Sequence, residues 1–398
     1  MSAPRAPDGA VARRQLLLLA LAVLLGMAPW FATSVVAPEL RARLALSDAR
    51  LAWLATAVQL GFVVGTATVA LTGLADRIAA RRLFAIAACA SALATLVLVA
   101  DVSWTTLLAS RAATGVALAA VYPPAMKMAS SWFRQRRGVA IGVVVGALTM
   151  GKATPWLLHA LPAPPLEATV AVLVAGSLFA AALVGVGYRD GPLAAPPRPV
   201  SLALVRDLVA RPRYRAVTLA YIGHMLELYA FWAWVPTLLA TRNAARATPW
   251  RAHTIDLLAF AVIAVGAPAC VWGGRVADRT TRARLVTIAL AASGGCAIAT
   301  GLAGTASLAV ATLIAAVWGW FVIADSAQFS ALVTESVPDA LVGTALSLQT
   351  SLGFAATMLT IQLVPLVAPM LGWPVAMALL AVGPAIGLAA IRRVDAMR

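Results

Sequence analysis

The chain has 398 residues, 62% hydrophobic and only 12% charged, with 31 Lys and Arg against 15 Asp and Glu for a formal net charge of +16. So little charge cannot cover a soluble surface of this size, which excludes a soluble enzyme or binding module and leaves the bilayer as the solvent. The basic excess does not indicate a nucleic-acid reader either, because it falls in short groups between apolar runs and not on one aromatic-laced soluble face.

Crossing ~30 Å of hydrocarbon takes about 20 apolar residues. The first such run covers 15–37. Arg13-Arg14 before it resembles the start of a signal peptide, but the run outlasts the 7–15 residues of a signal core and reads as the first span. Further runs at 50–72, 83–100, 105–127, 138–160 and 168–188 complete a set of six. A proline-rich piece, Gly191 to Pro199, then breaks the pattern and reads as an extended linker. After it, Ser201 to Arg211 places Leu202, Val205, Leu208 and Val209 at helical spacing, which suits a short amphipathic helix on the membrane surface. A second six follow at 216–240, 254–274, 285–303, 306–331, 341–366 and 374–391. Most runs are apolar around the whole circumference and rich in Gly and Ala, as packed membrane helices are, and none alternates as a barrel strand would. The expected organisation is an all-α membrane protein with a six-helix bundle over 1–188, a linker over 189–215 and a second six-helix bundle over 216–398.

One phrase occurs in both halves. Thr72-Gly73-Leu74-Ala75-Asp76-Arg77, followed by Arg81 and Arg82, returns as Gly274-Arg275-Val276-Ala277-Asp278-Arg279, followed by Arg282 and Arg284. A repeat at that spacing points to a duplicated bundle of the transporter type. Positive charge collects on one side of the segmentation: Arg5, Arg13, Arg14, both repeat loops, Lys127, Arg134, Arg136, Arg137, the linker, Arg392, Arg393 and Arg398. The other side holds Arg41, Arg43, Arg50, Arg242, Arg246 and Arg251. The positive-inside rule then puts both termini in the cytoplasm.

These features resemble the major facilitator superfamily, whose loop phrase runs Gly-x-Leu-Ala-Asp-Arg-x-Gly-Arg-Arg or Lys. Leu74, Ala75, Asp76, Arg77 and Arg81 match in the first copy, and Gly274, Ala277, Asp278, Arg279 and Arg282 in the second. Thr72, Ala79, Ala80 and Thr281 depart from it. The resemblance implies twelve helices in two pseudo-symmetric bundles, alternating access, and a cytoplasmic gate at these residues in which Asp76 or Asp278 sits near a helix N-terminus beside a neighbouring Arg. Such contacts favour the outward-open state, while plain positive-inside anchoring explains the same arginines. Arg111 to Gly115 is similar to the superfamily's proton-transfer pattern. Gly142-x-x-x-Gly146 and Gly151 resemble its antiporter pattern, with Ala147 in place of the Pro and Met150 in place of a Gly. Tyr122-Pro123-Pro124-Ala125-Met126-Lys127 and Gly151-Lys152-Ala153-Thr154-Pro155 resemble a bacterial cyanate- and nitrate-type subgroup, which implies an inner-membrane location. The intramembrane arginines of nitrate carriers are missing from 50–72 and 254–274, so nitrate itself is not expected.

Charges inside spans are costly and so mark candidate sites. Arg111 and Lys152 in the first half and Glu227 and Asp325 in the second sum to zero. Lys152 lies about 21 Å into its span at 1.5 Å per residue, where it suits either a small anion or an ion pair with Glu227. His224 stands one turn before Glu227, among Tyr221, Tyr229, Trp232 and Trp234, a cluster able to hold a proton or, for His224, a plain core hydrogen bond. Asp325 is expected to pair with the gate basics of the first half. Tyr122, Gln59, Gln349 and Gln362 either line a pore or bond between helices. Gly146 to Lys152 has P-loop spacing, but Ala153 follows where magnesium binding needs Ser or Thr, and no strand precedes it. Cys89, Cys270 and Cys296 form no motif, and His159, His224 and His253 have no ligand spacing. The expected protein is a secondary transporter, not an enzyme, without cofactor, metal or nucleic-acid partner. It would act as a monomer on a small organic or inorganic anion, coupled to protons, with hydrophobic drug efflux as the competing substrate class.

Overall fold

The structure is a computed structural model that describes residues 9–133, 136–160, 165–194, 202–304 and 307–396. Arg5, Arg134, Arg398, Ser201 and the Pro196-Pro197-Arg198-Pro199 part of the linker lie outside the described residues. Every regular element among the described residues is helical. In lipid each backbone N–H and C=O must find a partner within the chain, and a helix supplies them all from one segment.

The spans of the first half are α1 (Gly9–Met27), α2 (Asp48–Thr72), α3 (Ala80–Leu96), α4 (Trp104–Leu118, continued by Tyr122–Trp132), α5 (Arg137–His159) and α6 (Leu166–Ala182). Those of the second half are α7 (Pro212–Ala244), α8 (Ala252–Ala264 and Gly266–Arg279), α9 (Arg282–Leu302), α10 (Leu308–Ala324 and Ser326–Ser336), α11 (Val342–Leu371) and α12 (Trp373–Ala378 and Val382–Ala396). Eleven of the twelve are long and apolar enough to cross a membrane. The remaining one, α7, has 33 residues, about 50 Å of helix. The His224, Glu227 and tyrosine cluster along it makes it less apolar than the rest.

Several spans read from sequence as continuous are broken, α12 by a tighter turn over Leu379–Ala381 among them. α4 is interrupted at residues 119–121, ahead of Pro123 and Pro124, whose missing N–H groups and ring bulk cannot continue a helix regularly. α8 is interrupted at Val265 and α10 at Asp325.

The two halves meet along two seams related by the repeat, α2 against α11 and α5 against α8. Small residues permit the second approach. A Cβ on Gly142 would stand 2.5 Å from the Cys270 carbonyl oxygen, and one on Gly146 2.9 Å from that of Ala267. Gly142 and Gly146 therefore let α5 lie directly on the α8 backbone.

The short helix expected after the linker forms over Leu202–Ala210, but its apolar side is spent on the protein. Val205 and Leu208 are buried, with Val205 clustered with Leu341 and Leu348 at the start of α11. Of its apolar residues with described side chains, Val209 and Ala210 at its end are exposed.

Candidate functional site

Two latches close the arginine-rich end of the seams, one from each copy of the repeat. α11 and α5 both begin without a side-chain cap of their own, which leaves first-turn N–H groups without partners. Asp76 supplies the first cap from the opposite half: Oδ1 accepts from the Gly343 N–H at 3.1 Å and Oδ2 from the Thr344 N–H at 2.7 Å. Asp278 supplies the second, with Oδ2 accepting from the Val139 N–H at 3.3 Å. Carboxylates suit these positions because the N-terminal end of a helix carries partial positive charge. Both capped helices carry glycine at their second position. A Cβ on Gly343 would stand 2.6 Å from Asp76 Oδ1, and one on Gly138 2.6 Å from Arg282 Nη1.

The cation beside each aspartate differs. The Asp76 carboxylate is paired with Lys127 of α4, whose ammonium also donates to the Ala75 carbonyl at 2.9 Å. Asp76 is thus ion-paired with a lysine from another helix, while Arg81 reaches Asp190 at 3.7 Å. Asp278 does meet an arginine. Arg282 reaches it at 3.3 Å, one turn on in the chain, while also bonding Gln328 at 3.0 Å and Glu335 at 2.8 Å. Arg279 is exposed. Arg137 adds a bond across the halves, to Thr334 Oγ1 at 3.1 Å. A cavity of about 360 Å³ opens beside the first latch, lined by Asp76, Lys127, Ser130, Arg137, Thr334 and Asp339 among others.

Midway along the seams lies a second, much smaller pocket of about 10 Å³, room for about one water. Tyr122, Leu148, Tyr221, Tyr229, Trp232 and Phe354 line it with Val145, Met225, Leu228, Ile323 and Ser326. Both halves contribute rings: Phe354 of α11 lies 4.5 Å from Phe62 and 5.6 Å from Trp30 across the seam, and 4.8 Å from Tyr229 on its own side. Lys152 occupies the same face of α5 as Val145 and Leu148, and its Nζ stands 5.5 Å from the Tyr229 ring centroid, a cation–π distance.

The other buried charges turn away from this pocket. On α7, Tyr221, Met225, Leu228 and Trp232 recur at helical spacing along the pocket face, whereas His224 and Glu227 face the interior of the second half. Glu227 is fully buried and accepts from Ser293 Oγ at 2.8 Å and from Trp318 Nε1 at 2.9 Å. Both its oxygens thus serve α9 and α10, and the alternative in which it pairs with Lys152 is not the arrangement seen. His224 Nδ1 approaches Asp325 Oδ1 to 3.1 Å, off the line of a hydrogen bond, with both side chains 1% exposed. This corrects the expectation that Asp325 joins the gate basics: it sits at the break in α10 and faces α7. Arg111 is also fully buried, but its Nη2 donates to the Ala94 carbonyl of α3 at 3.0 Å, inside the first half.

Of the glutamines, Gln59 bonds Thr357 across the α2–α11 seam. Gln349 is buried in α11 with no acceptor for its amide nitrogen. Gln362 is exposed on the outer part of α11 and lines neither of the two cavities described. Sequence reasoning missed Lys127, which it counted only as anchoring charge, and missed Gly343 and Phe354. Gly343 was within reach of the repeat, since Arg137-Gly138-Val139 and Val342-Gly343-Thr344 begin equivalent spans.

Comparison with known proteins fits this architecture. No curated protein matches the chain. The crystal structure of the human organic anion transporter MFSD10 (TETRAN) superposes over 96% of this chain and 99% of its own, with a TM-score of 0.73 at 16% identity, a likeness of fold. Residues 19–361 match the family model described as Major Facilitator Superfamily. With most of its length inside that match and twelve helices in two seamed halves, the chain belongs to the Major Facilitator Superfamily and is a secondary transporter, not an enzyme.

Proposed function

We propose that this transporter moves a small anion across a bacterial inner membrane by alternating access, coupled to protons through Glu227. In this reading residues 1–188 and 216–398 rock about the midplane pocket, and the arginine-rich end, with both termini, faces the cytoplasm. The observation that carries the substrate class is Lys152, whose Nζ stands 5.5 Å from the ring of Tyr229, a residue of the pocket lining, while Glu227, Asp325 and His224 turn their charges elsewhere. A cation beside the pocket favours an anion in it. A cationic drug would want a carboxylate there, and the residues lining the pocket include none. Hydrophobic efflux remains the second reading because the lining is otherwise aromatic and aliphatic.

The proton site and the substrate site lie on opposite faces of α7. Glu227 is held by two neutral donors within its own half, and Tyr221 lines the pocket while its ring stacks 6.0 Å from that of His224. Protonation of Glu227 would weaken its acceptor bonds to α9 and α10 and so alter how α7 presents Tyr221 and Trp232. Substrate and proton then bias one conformational equilibrium, which is the thermodynamic content of coupling.

Reconstituted vesicles test both parts. Glu227→Gln keeps an acceptor for Trp318 and a partner for Ser293, so it should fold and exchange anion while losing accumulation driven by a pH gradient. Undiminished gradient-driven accumulation in that variant would remove Glu227 from the mechanism. Lys152→Ala should abolish anion uptake, and unchanged uptake of every anion carried by the parent would sink the substrate class.

A further inference from the structure

We infer that the transported anion is an aromatic monocarboxylate, an inference that rests on the anion reading and narrows it. Three features of the midplane pocket carry it.

The first is that rings from both halves meet there. Trp30 and Phe62 belong to the turn after α1 and to α2, whereas Phe354 and Tyr229 belong to α11 and α7, and neighbouring ring centroids lie 4.5 to 5.6 Å apart. Alternating access must part the halves, and parting them strips Phe354 of its edge and face contacts with Phe62 and Trp30. A planar ring entering the gap restores contacts of the same kind. An aliphatic chain of equal volume restores only the area, and a small inorganic ion restores neither.

The second is the mix of groups in the lining. The hydroxyls of Tyr122, Tyr221, Tyr229 and Ser326 and the Trp232 indole N–H are set among Val145, Leu148, Met225, Leu228 and Ile323. An inorganic oxyanion leaves those aliphatic groups and ring faces without an apolar partner, whereas a carboxylate uses a few donors and buries its own apolar body against them.

The third is where the donors sit. Lys152 Nζ is 5.5 Å from the Tyr229 ring and the Trp232 ring is 5.1 Å from it. The Trp232 indole N–H is buried and has no acceptor, an omission that costs free energy unless a ligand corrects it. Lys152 follows Leu148, and Trp232 follows Leu228, by about one turn on their helices, so both stand toward one end of the pocket. One ammonium and one indole N–H match the two oxygens of a carboxylate at that end, with the ring lying toward Tyr122, Tyr221 and Phe354.

The test uses purified full-length protein in lipid nanodiscs and four probes: benzoate, its neutral isostere benzamide, cyclohexanecarboxylate of nearly the same size, and nitrate. Binding is read by calorimetry and by counterflow in vesicles. Benzoate should bind about tenfold tighter than cyclohexanecarboxylate and tighter still than benzamide or nitrate. Lys152→Gln should erase the preference for benzoate over benzamide, and Trp232→Phe, which keeps the ring and deletes the N–H, should weaken benzoate while leaving benzamide less affected. Melting of each variant without ligand checks that it remains folded. Equal binding of benzoate and cyclohexanecarboxylate overturns the aromatic class and leaves the anion reading standing. Benzamide bound as tightly as benzoate, with no response to Lys152→Gln, overturns both. Binding of nitrate alone, or of no probe, overturns the aromatic class.

Discussion

The two copies of the loop phrase build latches of unequal kind. In the first copy Gly73 takes a left-handed conformation, φ 64°, ends α2 and starts a separate turn over Leu74–Arg77. That turn drives Asp76 into the seam, where it is 2% exposed and accepts from two backbone N–H groups of α11. In the second copy Arg275 stands at the equivalent position and α8 runs on through Arg279. Asp278 then stays at the helix end with its side chain 13% exposed, and accepts one longer backbone bond. One glycine thus converts a surface carboxylate into a buried cap, because only glycine adopts that backbone geometry without strain. The first latch holds the halves through one carboxylate with two bonds across the seam, and the second has one such bond, from Val139 to Asp278, with Arg282 bracing that carboxylate from within the second half.

The largest effect is expected from Asp76→Asn. The amide keeps one acceptor, turns N–H groups toward the N-terminus of α11 and leaves Lys127 without its counter-ion. The loss should be about 3 kcal/mol in the closed state, on the order of a hundredfold in the ratio of closed to open. Thiol labelling of Ser130→Cys, in the cavity beside this latch and in a background lacking Cys89, Cys270 and Cys296, reads that ratio directly. Gly343→Ala should raise the labelling rate in the same way, since its Cβ would strike the Asp76 carboxylate. A labelling rate unchanged by both substitutions would show that the first latch does not hold this end closed.

Lys127→Gln should act in the same direction with less force. Asp76 retains both backbone donors of α11, and the glutamine amide can still reach the Ala75 carbonyl. About 2 kcal/mol is expected. A double-mutant cycle between Asp76→Asn and Lys127→Gln, scored by the same labelling, should show the two to be strongly coupled. Additive effects would mean that the pair contributes nothing to the gate beyond its separate backbone bonds.

Part of this asymmetry was legible in the sequence. Composition and run length give the helical membrane fold and its twelve spans, because lipid permits so few alternatives. The repeat locates Asp76 and Asp278, and Gly73 against Arg275 is visible in the alignment of its two copies. Arg282, four residues after Asp278, was within local reach, but the partner of Asp76 was not legible, since Lys127 arrives from another helix and no local spacing records that. The orientation of Glu227 was equally hidden. Periodicity places it one turn from His224, but which face of α7 turns to the pocket depends on the neighbours α9 and α10, through Ser293 and Trp318. Asp325 was misassigned because depth along a run says nothing of the break in α10, which turns the carboxylate toward His224.

The smallest effect, and the sharpest comparison, belongs to the second latch. Asp278→Asn removes a carboxylate already partly hydrated, and Arg282 keeps Glu335 and Gln328 as partners. Its cost should fall at about 0.5 to 1 kcal/mol, that of one long backbone hydrogen bond. Arg282→Gln removes the group on which Asp278, Gln328 and Glu335 all converge, so it should cost about 1 kcal/mol or somewhat more. The order is then reversed between the copies. In the first, Asp76→Asn outweighs Arg81→Gln, whose guanidinium makes only a half-exposed 3.7 Å contact with Asp190. In the second, the arginine outweighs the aspartate. Measured on one labelling scale, equal losses for Asp76→Asn and Asp278→Asn would refute the inequality and return both copies to a symmetric gate, with Gly73 a local detail of the backbone.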